Sequence, residues 1–192
     1  MLSQRIFTET IDCLSPDRFL EHFLTRSTVS YPKLTDATEQ ELTIATQVLN
    51  NEFKFCGEAY VLPENFSWRI SPSSDKEWQV AHHKFSYAIH LLHAYQHYGD
   101  RTYLQKWIAL VESWLSEMDS GYIASNDAQV EARRIERWVY SFILLRGSPD
   151  RTLITPDFLR RFLERIATET LYICEHLTPS RNHRTLQLST IF

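Results

Sequence analysis

The sequence predicts an all-α fold of about six helices arranged in antiparallel pairs. Three observations carry this. Apolar residues recur at helical intervals along most of the chain. Only 4 of the 192 residues are glycine while 43% are hydrophobic, which excludes disorder, collagen-like repeats and loop-rich disulfide scaffolds. The joints between the apolar stripes hold capping residues followed by proline, as in Ser15-Pro16-Asp17 and Thr155-Pro156-Asp157.

The elements follow in order. After Ser15-Pro16-Asp17, residues Phe19, Leu20, Phe23 and Leu24 give a short first helix. Thr35 or Asp36 caps a second, with acids in its first turn and a stripe of Leu42, Ala45, Val48 and Leu49, ending near Asn50. Residues 53–70 lose the helical period and gain aromatic rings, so they read as an ordered, partly extended connection. Asp75 opens the longest stripe, one helix from Trp78 to Tyr98, closed by Gly99-Asp100. The next helix covers about 102–118 through Trp107 and Trp114, and a polar loop fills 119–129. Val130, Ile135, Trp138, Val139, Phe142 and Ile143 make another stripe, stopped by Gly147-Ser148-Pro149-Asp150. Thr155-Pro156 leads into a helix reaching His176-Leu177, a loop is expected over 178–183, and Thr185-Leu186-Gln187-Leu188 opens one more helix. No low-complexity linker interrupts the chain, so residues 1–192 read as a single helical domain without an internal boundary.

Charge and cysteine usage narrow the function. Twenty basic against 24 acidic residues give a net charge of -4, which argues against a nucleic-acid binder. Cys13, Cys56 and Cys174 form no CxxC pair and imply neither a zinc cage nor an oxidised framework. The N-terminus carries acids early and lacks an apolar core, and nowhere do about 18 apolar residues run together, so no export or membrane signal is legible.

The candidate chemical residues fall into three groups. His82, His83, His90, His93 and His97 share one predicted helix, with His90, His93 and His97 at i, i+3 and i+7. That spacing can clamp a metal, but no cysteine and no HExxH accompanies it, so the expectation is a polar, cleft-lining helix face with no metal and no cofactor. In Glu131-Ala132-Arg133-Arg134-Ile135-Glu136-Arg137-Trp138 most charges read as a solvated face; one arginine fork can hold a carboxylate, with Trp68, Trp78 and Trp138 able to stack on sugar faces or to pack between helices. Asn182-His183 sits where a loop enters a helix, as a cap or as a pair of cleft side chains. The phrase Ala94-Tyr95…Gly99-Asp100…Tyr103 has the look of a tetratricopeptide repeat, but windows about 34 residues away do not repeat it. A non-catalytic helical interaction module remains the alternative to an enzyme. Hydrolysis ranks last, since no acidic pair stands at the helix-entry loops.

Taken in order, NEFKFCGEAY, NFSWRI, the Trp78 helix with Ala94-Tyr95…Gly99-Asp100…Tyr103, Trp107…Trp114, Ala132-Arg133-Arg134-Ile135…Trp138 and Asn182-His183 resemble the N-terminal domain of the heparinase II/III family over about residues 45–192. The resemblance implies an incomplete (α/α) toroid that lacks the family's C-terminal β-sheet domain, and β-elimination of uronic-acid polysaccharides such as heparan sulfate or alginate. Removing a uronate C5 proton requires the adjacent carboxylate to be hydrogen-bonded so that the developing enolate is stabilised, which an Asn amide does without adding a proton. By the family pattern Asn182 neutralises that carboxylate and His183 is a neighbouring base or binding group, the two catalytic candidates. Arg134 matches the family's Arg-Ile…Trp phrase, and with Trp68, Trp138 and His83 it completes the expected substrate-binding set. The family's catalytic tyrosine lies beyond the Asn-His pair, so this chain is expected to be a poor catalyst alone. It is expected to work with a C-terminal partner or by self-association, on an acidic polysaccharide and with neither nucleic acid nor membrane.

Overall fold

A computed structural model of the chain describes residues 15–25, 36–118, 127–146, 148–179 and 181–191. Cys13, Thr35, Gly147 and residues 119–126, which fall in the loop expected over 119–129, lie outside the described residues, as do the side chains of Phe19, Phe23 and Leu24. Eight helices are described: α1 (Pro16–Thr25), α2 (Glu39–Leu49), α3 (Lys76–His83), α4 (Ile89–Tyr98), α5 (Arg101–Met118), α6 (Ala128–Arg146), α7 (Pro156–Glu175) and α8 (Arg181–Ile191). A two-stranded hairpin, β1 (Glu52–Phe55) and β2 (Glu58–Val61), lies between α2 and α3. The fold is mainly α-helical, as the apolar periodicity predicts.

Local chemistry sets the ends of these elements. The cap of α2 is Thr38, past both predicted positions, Thr35 and Asp36. Its hydroxyl accepts from the Glu41 N–H at 3.3 Å while the Glu41 carboxylate accepts from the Thr38 N–H at 2.8 Å, a reciprocal capping box. Thr155 caps α7 by accepting from the Phe158 N–H at 3.1 Å, with Pro156 at the first helical position as predicted. The hairpin turns on Cys56 and Gly57, at φ of 52° and 84°, a pair that gives a two-residue turn matched to the strand twist. Phe53 pairs with Tyr60 across it.

The predicted long helix from Trp78 to Tyr98 is instead two, α3 and α4, divided at residues 84–88. Phe85 takes a left-handed backbone, φ 57°, which costs a bulky residue on the order of 1–2 kcal/mol. Its ring stacks on Trp68 and meets Trp114 and Trp138 edge-on, 99% buried, and burying such a ring contributes roughly 1.5–3 kcal/mol. Packing thus outweighs local propensity, and no proline or glycine announces the break. The α4–α5 corner is legible in sequence: Gly99 is left-handed, its N–H reaches the Tyr95 carbonyl at 2.8 Å, and the Asp100 carboxylate accepts from the Thr102 N–H.

The helices pack in two layers. One layer runs α2 on α4, α4 on α6 and α6 on α8; α5 and α7 pack on each other behind it, against α4 and α6 respectively. Trp78, Phe85, Leu92, Trp107, Trp114, Trp138 and Phe162, the side chains expected to be buried, are buried, and so is the fifth tryptophan, Trp68. The aromatic 53–70 segment packs on the helices through Phe53, Phe66 and Trp68, whose rings surround His82. Among the described residues the large exposed hydrophobics are Val61, Ile70 and Tyr98, and no helix is long and apolar enough to cross a membrane.

Candidate functional site

The Glu131–Trp138 stretch turns its charges both ways. Arg133 and Glu136 pair at 3.0 Å on the half-exposed side of α6, as a solvated face predicts. Glu131 and Arg134 face inward, which corrects the solvated reading for Glu131. Arg134 is fully buried: its Nε and Nη2 donate to the two carboxylate oxygens of Glu169 at 3.1 and 2.6 Å, its Nη1 donates to the His83 carbonyl at 2.9 Å, and its guanidinium lies 4.1 Å from the Trp114 ring. Every face of the fork is used. Burial, and next the nearby Glu169 carboxylate, pushes the Glu131 carboxyl up to about 8.

His83 extends this interior network. The Trp114 indole N–H can only donate, and it does so to His83 Nδ1 at 3.0 Å; the ring is therefore the Nε2–H tautomer, which donates to the Trp68 carbonyl at 3.1 Å. Burial first, and Arg134 second, holds this imidazole down at about 4, so it is neutral at ordinary pH. Trp68 stacks on His82 and Phe85, and Trp138 is wedged among Phe85, Trp114 and Phe162. The four residues expected to bind substrate, Arg134, Trp68, Trp138 and His83, thus stand in the core, partnered by other protein groups. They fix how α3, α6 and α7 pack, and they present no surface to a sugar.

Asn182 and His183 stand elsewhere, and in a different element from the one predicted. They belong to the first turn of α8, which begins at Arg181, and both are exposed. The Gln129 amide nitrogen, on the first turn of α6, lies 2.8 Å from His183 Nδ1 and donates to it, leaving Nε2 as the other ring nitrogen. The α8 helix is tied back by Gln187, whose carbonyl oxygen accepts from the Thr178 N–H at 2.9 Å. An amide and an imidazole therefore sit side by side at a helix N-terminus, where the helix dipole favours a carboxylate.

A third location escaped sequence reasoning. The layer of α2, α4, α6 and α8 borders a half-open cavity of ≈ 860 Å³ lined by Glu41, His90, His93, Arg137, Tyr140 and Thr190 among others. His93 Nδ1 is 3.1 Å and His90 Nδ1 3.5 Å from Glu41 Oε1. His97, the third histidine of the predicted face, is exposed beside Tyr98 and takes no part. Two histidines of the predicted row are thus joined by a carboxylate about 50 residues earlier in the chain.

A family model described as heparinase II/III N-terminus matches residues 13–192. The chain belongs to the heparinase II/III N-terminal family. Its fold is shared with a heparinase III gene product (TM-score 0.80, 19% identity, 95% of this chain and 33% of that one). It is shared too with the heparan sulfate lyase HepC from Pedobacter heparinus (TM-score 0.72, 19% identity, 97% and 29%) and with a further heparinase III (TM-score 0.71, 21% identity, 91% and 29%). Among curated proteins none matches. This heparinase II/III N-terminal chain spans about a third of the length of those structures.

Proposed function

We propose that this chain is the helical substrate-binding part of a polysaccharide lyase that cleaves uronic-acid polysaccharides by β-elimination, with Asn182 and His183 at its working edge. The observation that carries the reading is the exposed Asn182-His183 pair on the first turn of α8, in a chain that belongs to the heparinase II/III family. The Asn182 amide donates to the uronate carboxylate and lowers the cost of the enolate that forms when C5 loses its proton. His183, whose Nδ1 accepts from the Gln129 amide, carries its proton on Nε2 and offers that N–H to the sugar as a binding group; a role as base requires the Gln129 contact to break. The names of the solved relatives, heparinase III and heparan sulfate lyase, support a sulfated or uronic-acid polysaccharide as the substrate class.

The chain alone is expected to bind acidic oligosaccharides weakly and to give no ultraviolet absorbance from the conjugated double bond that β-elimination creates. Titration calorimetry with heparan sulfate and alginate oligosaccharides tests this. Asn182→Ala is expected to weaken binding about tenfold, the loss of a charge-assisted hydrogen bond, without lowering stability, since the side chain is exposed. Absence of binding, or binding unchanged in both Asn182→Ala and His183→Ala, would transfer the assignment to a non-catalytic interaction module.

A further inference from the structure

The cavity between α2, α4, α6 and α8 carries a ligand set of its own. Glu41 divides its carboxylate. Oε2 accepts from the Thr38 N–H at 2.8 Å and the Thr38 hydroxyl at 2.9 Å, and this holds the group in place; Oε1 is left facing His90 and His93. The two histidines are at i and i+3 on α4, and their ring centroids are 5.9 Å apart. One ligand atom from each of the three residues lies within 4.8 Å of the others.

We propose that Glu41, His90 and His93 form a binding site for a divalent transition-metal ion of the zinc class, open to the cavity on its fourth side. Bonds of about 2.0–2.1 Å in a tetrahedral array place ligand atoms about 3.3–3.4 Å apart. The observed 3.1 and 3.5 Å separations from Glu41 Oε1 bracket that edge. The chemistry of the donors fits as well. His90 Nδ1, which faces Glu41 Oε1 at 3.5 Å, is a buried atom without a hydrogen-bond partner, so this imidazole has lone-pair capacity that the protein does not use. Thr38 anchors the carboxylate as an outer-shell partner anchors a metal ligand. Three protein ligands facing a cavity, with one position left for water or a ligand oxygen, is the arrangement of an open zinc site. Arg137 shares the cavity and opposes a cation, while Glu41 and Glu136 in the same wall offset it. The site lies toward the far end of α8 from Asn182, at the level of Ser189 and Thr190, about 10 Å along the helix at 1.5 Å per residue. It is independent of the proposed lyase edge.

The test is calorimetric titration of the tag-free, chelator-stripped chain with Zn²⁺, with metal content read after dialysis. One equivalent per chain is expected. His93→Gln and Glu41→Gln should weaken binding at least about 100-fold, and Thr38→Val about tenfold, since loss of an outer-shell partner costs about 10–100-fold. His97→Gln should leave binding unchanged. Glu41→Gln keeps the fold, because Gln completes the capping box as well as Glu, and an unchanged helical circular dichroism spectrum confirms that its loss of metal is a loss of ligand. The proposal is overturned if no saturable binding is found. It is equally overturned if the bound equivalent survives His93→Gln, or if it disappears in His97→Gln or Cys56→Ser.

Discussion

Arg134 and Glu169 form a two-pronged ion pair in the interior, joined at 3.1 and 2.6 Å with side-chain exposures of 0% and 3%. Arg165 meets the same carboxylate at 3.0 Å, and Arg134 Nη1 donates to the His83 carbonyl. The arrangement ties α6 to α7 and to the end of α3 through charges that have left water.

Breaking such a pair from one side leaves the other charge buried. Arg134→Ala is expected to destabilise the chain by about 3–5 kcal/mol. Arg134→Lys should recover little, because a single ammonium cannot span both carboxylate oxygens and the carbonyl while lying on the Trp114 face. Urea unfolding followed by tryptophan fluorescence reads this directly; an unfolding midpoint that stays at the wild-type value in both variants contradicts it.

Glu131 and His83 give stability a pH dependence of two signs. The Glu131 carboxyl, raised to about 8 chiefly by burial, keeps a proton in the folded chain that the unfolded chain has lost at its ordinary 4.5. Its contribution is fully present below 4.5 and is lost as pH rises through 8, at a slope of at most about 1.4 kcal/mol per pH unit. His83, held at about 4 against an ordinary 6.5, does the reverse: its contribution is present above 6.5 and is lost as pH falls toward 4, and buried His82, also held low by burial, acts in the same sense. Of these groups only Glu131 is active between about 6.5 and 8. Unfolding free energy should therefore fall across that window, and Glu131→Gln should flatten it; an equal slope in the variant would refute the assignment.

The hairpin turn isolates a backbone effect. A Cβ added at Gly57 meets nothing within 4 Å, so Gly57→Ala changes only the cost of the left-handed conformation, about 1 kcal/mol or slightly more. Cys56→Asn, at φ 52° and exposed, should be neutral or stabilising, since Asn tolerates that region and favours the first position of this turn. Thermal melts of the two variants should shift in opposite directions or leave Cys56→Asn unmoved; a gain in melting temperature for Gly57→Ala contradicts the account.

Periodicity and punctuation were enough to determine the helical class, the caps at Ser15 and Thr155, the Gly99-Asp100 corner, the aromatic connection over 53–70 and the burial of Trp78, Phe85, Leu92, Trp107, Trp114, Trp138 and Phe162, because these depend on residues within a few turns of one another. The order of short phrases, ending in Asn182-His183, also determined the family. Tertiary structure decided what depends on distant partners. Phe85 breaks a helix whose local sequence favours continuity, because its ring gains more from Trp68, Trp114 and Trp138 than the backbone loses. Arg134 reads as a surface fork until Glu169, 35 residues on, takes both its prongs. His90 and His93 read as a polar face until Glu41, 52 residues before His93, is brought to 3.1 Å by the packing of α2 on α4. Helical spacing states which side chains share a face; only the neighbouring helix states what that face meets.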